Sequence, residues 1–125
     1  MRDILFRGKT KTGKWVEGDY QSFPVFEGKC IVIGVWGDFA EYDIIPETVG
    51  QYTGLCDKNG TKIFEGDIVK ADNGHVSQVI FWYGMFCLYC KCHNSRSNPI
   101  PCSIVEVIGN IHDNPELLKG GGSDA

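Results

Sequence analysis

The stretch of sequence that decides the fold is Asp43–Lys70, DIIPETVGQYTGLCDKNGTKIFEGDIVK. It consists of short apolar, strand-like runs separated by tight turns. Asp57-Lys58-Asn59-Gly60 is the clearest turn, because an Asn-Gly pair adopts positive φ at low steric cost. Glu65-Gly66-Asp67 is a second bend, and the Pro in Ile45–Val49 disfavours a long helix there, so we expect a single helical turn. The stretch therefore predicts strands that change direction every few residues.

The same pattern extends from this stretch towards both ends of the chain. We predict about nine short strands: Asp3–Arg7, Trp15–Tyr20, Cys30–Trp36, Phe39–Ile45, Gln51–Leu55, Ile68–Lys70, Val76–Trp82, Met85–Cys92 and Ile104–Ile111. Gln21–Lys29 contains Pro24 and Gly28 and predicts a loop, and His93–Pro101, which is polar with two prolines, predicts a second one. Asn114 as N-cap and Pro115 at the first helical position predict one helical turn near the end.

Short strands with turn residues at intervals of roughly 8–12 residues are typical of barrels and sandwiches. We predict an all-β fold, with a small SH3-like β-barrel over about residues 50–112 and an N-terminal antiparallel meander or hairpin as an extension. The chain is predicted to form one domain over residues 1–118, with the meander at 1–45 and the barrel and closing turn at 46–118. Residues 119–125 predict a flexible tail.

Composition and charge narrow the class of protein. Hydrophobic residues make up 42% of the chain and aromatic residues 12%, which suits a packed β-rich core. The net charge of −4 argues against a protein that tracks phosphates over a broad basic face. No apolar run resembles a signal peptide or reaches the roughly 20 residues of a membrane span. We therefore predict a cytoplasmic protein whose cysteines are mostly reduced.

Several runs of the sequence match the signatures of a known family. They are PETVGQYTGL at Pro46–Leu55, FEGDIV at Phe64–Val69, VIGNIHDNPELL at Val107–Leu118, and a weaker FRG with GDY near the start. On these motifs the chain resembles the YopX family, which bacteriophages and prophages encode, over about residues 4–118. The resemblance implies a mainly β fold, a bacterial host, and a tendency to form homo-oligomers. It implies no reaction, and the sequence departs from it at residues 85–102, where the cysteines fall.

The sharpest candidate for metal chemistry is the set Cys87, Cys90, Cys92, His93 and Cys102. Thiol and imidazole ligands suit zinc. However, Cys87 and Cys90 lie in a predicted strand, where they point to opposite faces, and a second Cys-x-x-Cys pair is missing. We keep these five residues as weak zinc candidates and predict buried thiols, no metal and no cofactor. A redox role is disfavoured because no helix begins at Cys87.

No set of residues predicts catalysis. Glu65 with Asp67, and Asp113 with Glu116, are neighbouring carboxylates, but both pairs sit at bends where acidic side chains bond to backbone N–H groups. The three histidines have no recognisable nucleophile and acid beside them. We therefore predict no catalytic residue and a non-enzymatic protein.

Basic residues alternate with aromatic ones near the amino terminus. The candidate anion- or ligand-binding residues are Arg2, Arg7, Lys9, Lys11, Lys14 and Trp15. Cationic side chains with an aromatic ring suit a phosphate and a base. The alternative is a solvated hairpin whose lysines discourage edge-to-edge aggregation.

Three functions follow from these observations. The first is a non-enzymatic phage or prophage binding or assembly module that acts as a homo-oligomer on host or phage components. The second is sequestration of a small nucleotide signalling molecule against host antiviral defence. The third, nucleic-acid binding through the barrel, is disfavoured by the acidic net charge. We expect the functional surface on the amino-terminal ribbon, at an oligomer interface, or in Met85–Cys102.

Overall fold

The structure is a computed structural model that describes residues 5–23, 29–33, 41–90, 95–97 and 100–118. These residues form eleven strands, two short 3₁₀ turns and one helical turn, so the predicted all-β class is confirmed. They contain no helix that is long and apolar enough to cross a membrane. The chain divides into two compact units, residues 1–52 and 53–125, and the dividing point falls within one strand. The predicted division at 45/46 within one domain stays a prediction.

The first unit is an antiparallel sheet with the strand order β4-β3-β2-β1-β5. Its strands are β1 Phe6–Lys9, β2 Trp15–Phe23, β3 Lys29–Ile33, β4 Glu41–Ile44 and the beginning of β5 Gly50–Cys56. The predicted loop at Gln21–Lys29 was wrong at both ends. Gln21, Ser22 and Phe23 continue β2 and pair with Ile31, Cys30 and Lys29 of β3.

Backbone bonds also join the end of β1 to the end of β4 in this first sheet. The Ile45 N–H donates to the Lys9 carbonyl at 2.8 Å, and Thr10 forms an isolated bridge with Ile44. Gly8 on β1 has no side chain, and Ile44 packs directly over that position. Pro46–Thr48 forms the predicted single turn, and the Thr48 hydroxyl accepts a hydrogen bond from the Lys9 N–H at 2.9 Å.

The second unit begins with the end of β5, which pairs with β6 across the predicted Asn-Gly turn. Its further strands are β6 Lys62–Phe64, β7 Asp67–Ala71, β8 Val76–Trp82, β9 Met85–Cys90, β10 Ser95–Ser97 and β11 Val105–Asn110. The last five form an antiparallel sheet with the order β10-β9-β8-β7-β11. A bulge between Val107 and Gly109 shifts the register of β11 on β7.

The described strands of the second unit do not close into a barrel, so the SH3-like part of the prediction is not confirmed. β10 and β11 are the two edges of an open sheet. One face of this sheet carries the core, formed by Ile63, Val69, Val79, Leu88, Ile100 and Val105. Each of these six side chains is at most 6% exposed.

The predicted loop His93–Pro101 was also wrong. Ser95–Ser97 forms β10 on the edge of the sheet, and Ile100 is only 5% exposed and belongs to the core. Local sequence carries little sign of this strand, because Ser-Arg-Ser has low hydrophobicity and edge strands need not alternate. β10 exists because β9 offers it an unpaired edge.

Candidate functional site

The turn between β8 and β9 carries an aromatic residue in an unfavourable backbone conformation. Trp82 pairs with Met85, and the two residues between them are Tyr83 with φ 49° and Gly84 with φ 77°. Positive φ at both central positions is the geometry of a type I′ hairpin turn, which prefers Asn-Gly. Tyr83 is the one non-glycine residue with positive φ in the described part of the chain. A bulky residue there costs roughly 1–2 kcal/mol, so its presence suggests a role for the ring.

The side chains around this turn form an exposed aromatic surface. Tyr83 is 81% exposed, Phe81 53%, Trp82 40% and Met85 39%. The Phe81 ring also makes an edge-to-face contact with Phe86, with 5.0 Å between ring centroids. Phe81 and Phe86 face the opposite side of the sheet from Trp82 and Met85, because Phe81 pairs with Phe86 one position away. We call Trp82, Tyr83 and Met85, together with Arg96, the hairpin surface. Clustered exposed apolar side chains of this kind mark interaction sites more often than isolated ones do.

Arg96 lies against the rings of this surface. Its guanidinium carbon is 4.2 Å from the centroid of the Trp82 ring and 5.0 Å from that of Tyr89. The Trp82 ring also contacts Tyr83, whose ring centroid is 4.2 Å away. Trp82 therefore packs against both the cation and the ring at the hairpin tip. Contacts between a guanidinium and aromatic rings are worth roughly 0.5–2 kcal/mol each and hold the cation in place.

Strand register explains how residues from three strands reach the same place. Arg96 on β10 stands opposite Tyr89 on β9, and Trp82 on β8 stands opposite Met85 on β9. Met85, Cys87 and Tyr89 alternate onto the same face of β9, so Arg96 and Trp82 project from that face on the two neighbouring strands. Cys87 is small and only 1% exposed.

The predicted amino-terminal set is brought together only in part. Arg7, Lys9 and Trp15 share one face of the β1–β2 ribbon, and the Arg7 guanidinium lies 4.8 Å from the centroid of the Trp15 ring. Glu17 stands opposite Arg7 on the same face and lowers the local positive charge. Lys11 and Lys14 belong to the connecting turn, and Arg2 lies outside the described residues. The anion-binding assignment stays a prediction.

The weak zinc candidates are distributed over different environments. Cys87 and Cys90 lie on opposite faces of β9, as their spacing predicted, because Cys87 pairs with Ile80 while Cys90 follows Leu88 by two on the core face. The Cys102 thiol donates to the Ile100 carbonyl at 3.4 Å, and burial is the main cause that raises its pKa. Cys92 and His93 lie outside the described residues, within which no three potential ligands come together.

Two of the neighbouring carboxylates, which the sequence analysis assigned to bends rather than to catalysis, bond to the protein itself. Asp67 is 1% exposed and accepts a hydrogen bond from the Phe64 N–H at 2.7 Å. Asp113 accepts one from the Asn110 side-chain amide at 3.3 Å. Both contacts tie down local turns. The prediction that the protein is not an enzyme stays a prediction.

A cleft of about 260 Å³ lies beside the core of the second unit. Leu88 and Val105 form part of its wall, and His75, Ser77 and Cys90 contribute polar groups. Its volume is below the roughly 300–1,000 Å³ of typical ligand pockets. We therefore place the candidate site at the hairpin surface rather than in this cleft.

Known proteins resemble this chain in both sequence and structure. The profile of the YopX protein family matches residues 5–119, nearly the whole chain. This chain belongs to the YopX family. A similar solved structure is that of protein EF1440 from Enterococcus faecalis, with 27% identity and a TM-score of 0.60, covering 94% of this chain and 99% of that one. None of the curated proteins matches the sequence.

Membership in the YopX family confirms the resemblance drawn from the sequence, and the structure shows which elements the family motifs form. In this YopX protein, the Pro46–Leu55 signature forms a 3₁₀ turn and most of β5, and the closing signature around Asn110 forms most of β11 and the last turn. The sequence interpretation named Met85–Cys102 as one of three locations for the functional surface, but it did not single out Trp82, Tyr83 or Arg96. The sequence did contain a signal for this surface. Three consecutive aromatic residues, Phe81 to Tyr83, cannot all face the core side of a strand. Arg96 was missed because its segment was predicted to be a loop.

Proposed function

We propose that this YopX protein is a non-enzymatic binding or assembly module, encoded by a phage or prophage, that acts as a homo-oligomer on host or phage proteins. The observation that carries this proposal is the exposed hairpin surface, whose tip residue Tyr83 is 81% exposed. Aromatic residues, methionine and arginine are the types enriched in protein interfaces, and lysine and acidic residues are depleted there. The hairpin surface has this composition. The proposed location is the cytoplasm of the bacterial host.

A photo-crosslinking amino acid placed at Tyr83 tests the proposal in the bacterial host. We expect defined adducts with another protein molecule, because the tip of the hairpin is the centre of the proposed contact. Glu106, which is exposed on β11 in the same unit, is the matched control position and should give no such adducts. Adduct masses measured by electrophoresis and mass spectrometry provide the readout. Equal adducts at both positions, or none at Tyr83, would contradict the proposal.

A second candidate function is sequestration of a small nucleotide by the amino-terminal ribbon. Its support is the shared face of Arg7, Lys9 and Trp15, where a cation already lies over an aromatic ring. Such a face suits a phosphate beside a stacked base. Glu17 on the same face and the net charge of −4 weigh against it.

Thermal unfolding in the presence of cyclic and linear nucleotides tests the second candidate. A ligand that binds only the folded state at about 100 times its Kd should stabilise the protein by about 2.7 kcal/mol. We expect the accompanying rise in melting temperature to disappear in Lys9→Gln and to persist in Lys62→Gln, an exposed lysine of β6 in the second unit. No rise with any nucleotide would remove this function from consideration.

A further inference from the structure

Arg96 is the one charged residue of β8, β9 and β10, the three strands that build the hairpin surface. Within the described residues, the contacts of its side chain are the Trp82 and Tyr89 rings, and no carboxylate or carbonyl accepts its N–H groups. A guanidinium carries five N–H donors in a planar fork. The rings hold its position by stacking, and stacking leaves the hydrogen-bonding edge of the fork unused.

This arrangement determines which ligand chemistry fits best. Because a planar guanidinium matches a planar carboxylate through two parallel hydrogen bonds, a single fixed arginine is sufficient for one carboxylate. Polyanions such as nucleic acids are bound instead by several cations, which these three strands lack, and the chain has a net charge of −4. Trp82 links the cation to two exposed side chains, Tyr83, whose ring it contacts, and Met85, with which it pairs. These exposed side chains suit an apolar side chain next to the carboxylate.

We propose that Arg96, held between Trp82 and Tyr89, binds the carboxylate of an Asp or Glu side chain on a partner protein, with an adjacent apolar side chain of that partner packing on Tyr83 and Met85. This inference rests on the proposed function, since it specifies the partner segment that the hairpin surface recognises. The residues of the hairpin surface and Tyr89 have three separate roles in this contact. The rings orient the guanidinium, the guanidinium selects an acid, and the exposed apolar side chains exclude water from the contact.

Selection of short random peptides on the wild-type protein tests this inference. We expect the enriched peptides to contain Asp or Glu next to an apolar residue. A peptide obtained in this way should bind Arg96→Gln roughly 10- to 100-fold more weakly, because one charge-assisted pair is lost. Arg96→Lys should lose most of the same affinity, since an ammonium lacks the planar fork. Replacing the Asp or Glu of the peptide by Asn or Gln should weaken its binding to the wild-type protein by the same factor as Arg96→Gln does. The same replacement in the peptide should not change its affinity for Arg96→Gln.

Separate measurements check that each variant keeps its fold. Arg96 is exposed, so circular dichroism should be unchanged in both Arg96 variants. The melting temperature should fall by only a few degrees in Arg96→Gln, through the loss of the two ring contacts, and less in Arg96→Lys, which keeps the cation. Tyr83→Asn places the preferred Asn-Gly pair in the type I′ turn, so this variant should be at least as stable as the wild type while losing the tip ring.

The possible results separate the inference from the function on which it rests. Peptides that lack acids, bind the wild type, and lose affinity in Tyr83→Asn would overturn the role of Arg96 and leave the hairpin surface intact. Failure to select any peptide, or selection that is equal on the wild type and on Tyr83→Asn, would overturn both. Binding of an oligothymidine strand that Arg96→Gln abolishes would assign the site to nucleic acid, and dissociation of an oligomer by Arg96→Gln would assign it to a second copy. Either result would overturn recognition of an acidic segment on a partner protein.

Discussion

Asp57→Ala is expected to destabilise the protein by about 3 kcal/mol, because one carboxylate supports both a turn and a distant strand. Asp57 is only 6% exposed, and its carboxylate accepts hydrogen bonds from the N–H groups of Asn59, Thr61 and Val107, each at 2.9 Å. The first two bonds shape the β5–β6 turn. The third reaches 50 residues along the chain to β11. Alanine would leave the half-buried Val107 N–H without an acceptor.

Urea denaturation at neutral pH measures this loss. A cost of about 3 kcal/mol should lower the melting temperature by roughly 10 °C in a chain of this size. Asp72→Ala is the matched control, because Asp72 is an exposed carboxylate whose solvent-screened ion pair with Lys58 adds little to stability. Equal losses in the two variants would show that the Asp57 bonds do not hold β11 to the turn.

The same carboxylate predicts a dependence of stability on pH. Burial raises the pKa of Asp57. The N–H groups of Val107, Thr61 and Asn59 and the charge of Lys58 together lower this pKa by more, so it lies below the ordinary value of 3.8. A group with a lowered folded pKa stabilises the fold fully above its unfolded pKa, and this contribution is lost as pH falls through the folded pKa. The gap in stability between the wild type and Asp57→Asn should therefore be constant near neutral pH and shrink below about pH 4.

Gly109→Ala is expected to cost about 2 kcal/mol, because the bulge in β11 has no space for a methyl group. A Cβ atom at Gly109 would lie 2.6 Å from the Asn114 side-chain oxygen and 3.0 Å from a Leu117 methyl carbon. Asn114 cannot move away without loss, because its side chain accepts the Asn110 N–H at 3.3 Å and its own N–H donates to the Asn110 carbonyl at 2.8 Å. The closing turn would have to shift with it.

Substitution of a second glycine, Gly60, separates steric crowding of the new methyl group from the backbone preference of glycine. Gly60 has a φ of +85° and nothing within 4 Å of a Cβ, so Gly60→Ala costs only the conformational penalty, about 1 kcal/mol. Chemical denaturation of both variants should show the larger loss at Gly109. If crowding by Asn114 is the cause, the cost of Gly109→Ala should fall in an Asn114→Ala background. An unchanged cost in that background would exclude the contact with Asn114 as the reason.

Local chemistry accounts for the features that the sequence predicted well. The Asp57–Gly60 turn, the single turn at Pro46–Thr48 and the helical turn after Asn114 depend on residues a few positions apart, and all three are present. The end of β2 and the whole of β10 were missed because each is a strand only through a partner that lies elsewhere in the chain. Residues such as Ser22 and Arg96 carry no local preference strong enough to reveal this.

The candidate site shows the same division. The sequence alone determined a β-rich chain of the YopX family, with turns at the Asn-Gly pair and at Glu65–Asp67, because turn chemistry and alternation act over a few residues. Only the tertiary structure placed Arg96 of β10 over Trp82 of β8, because that contact depends on the register of three strands. Register is set by pairing and burial across the whole sheet, which no short stretch of sequence encodes.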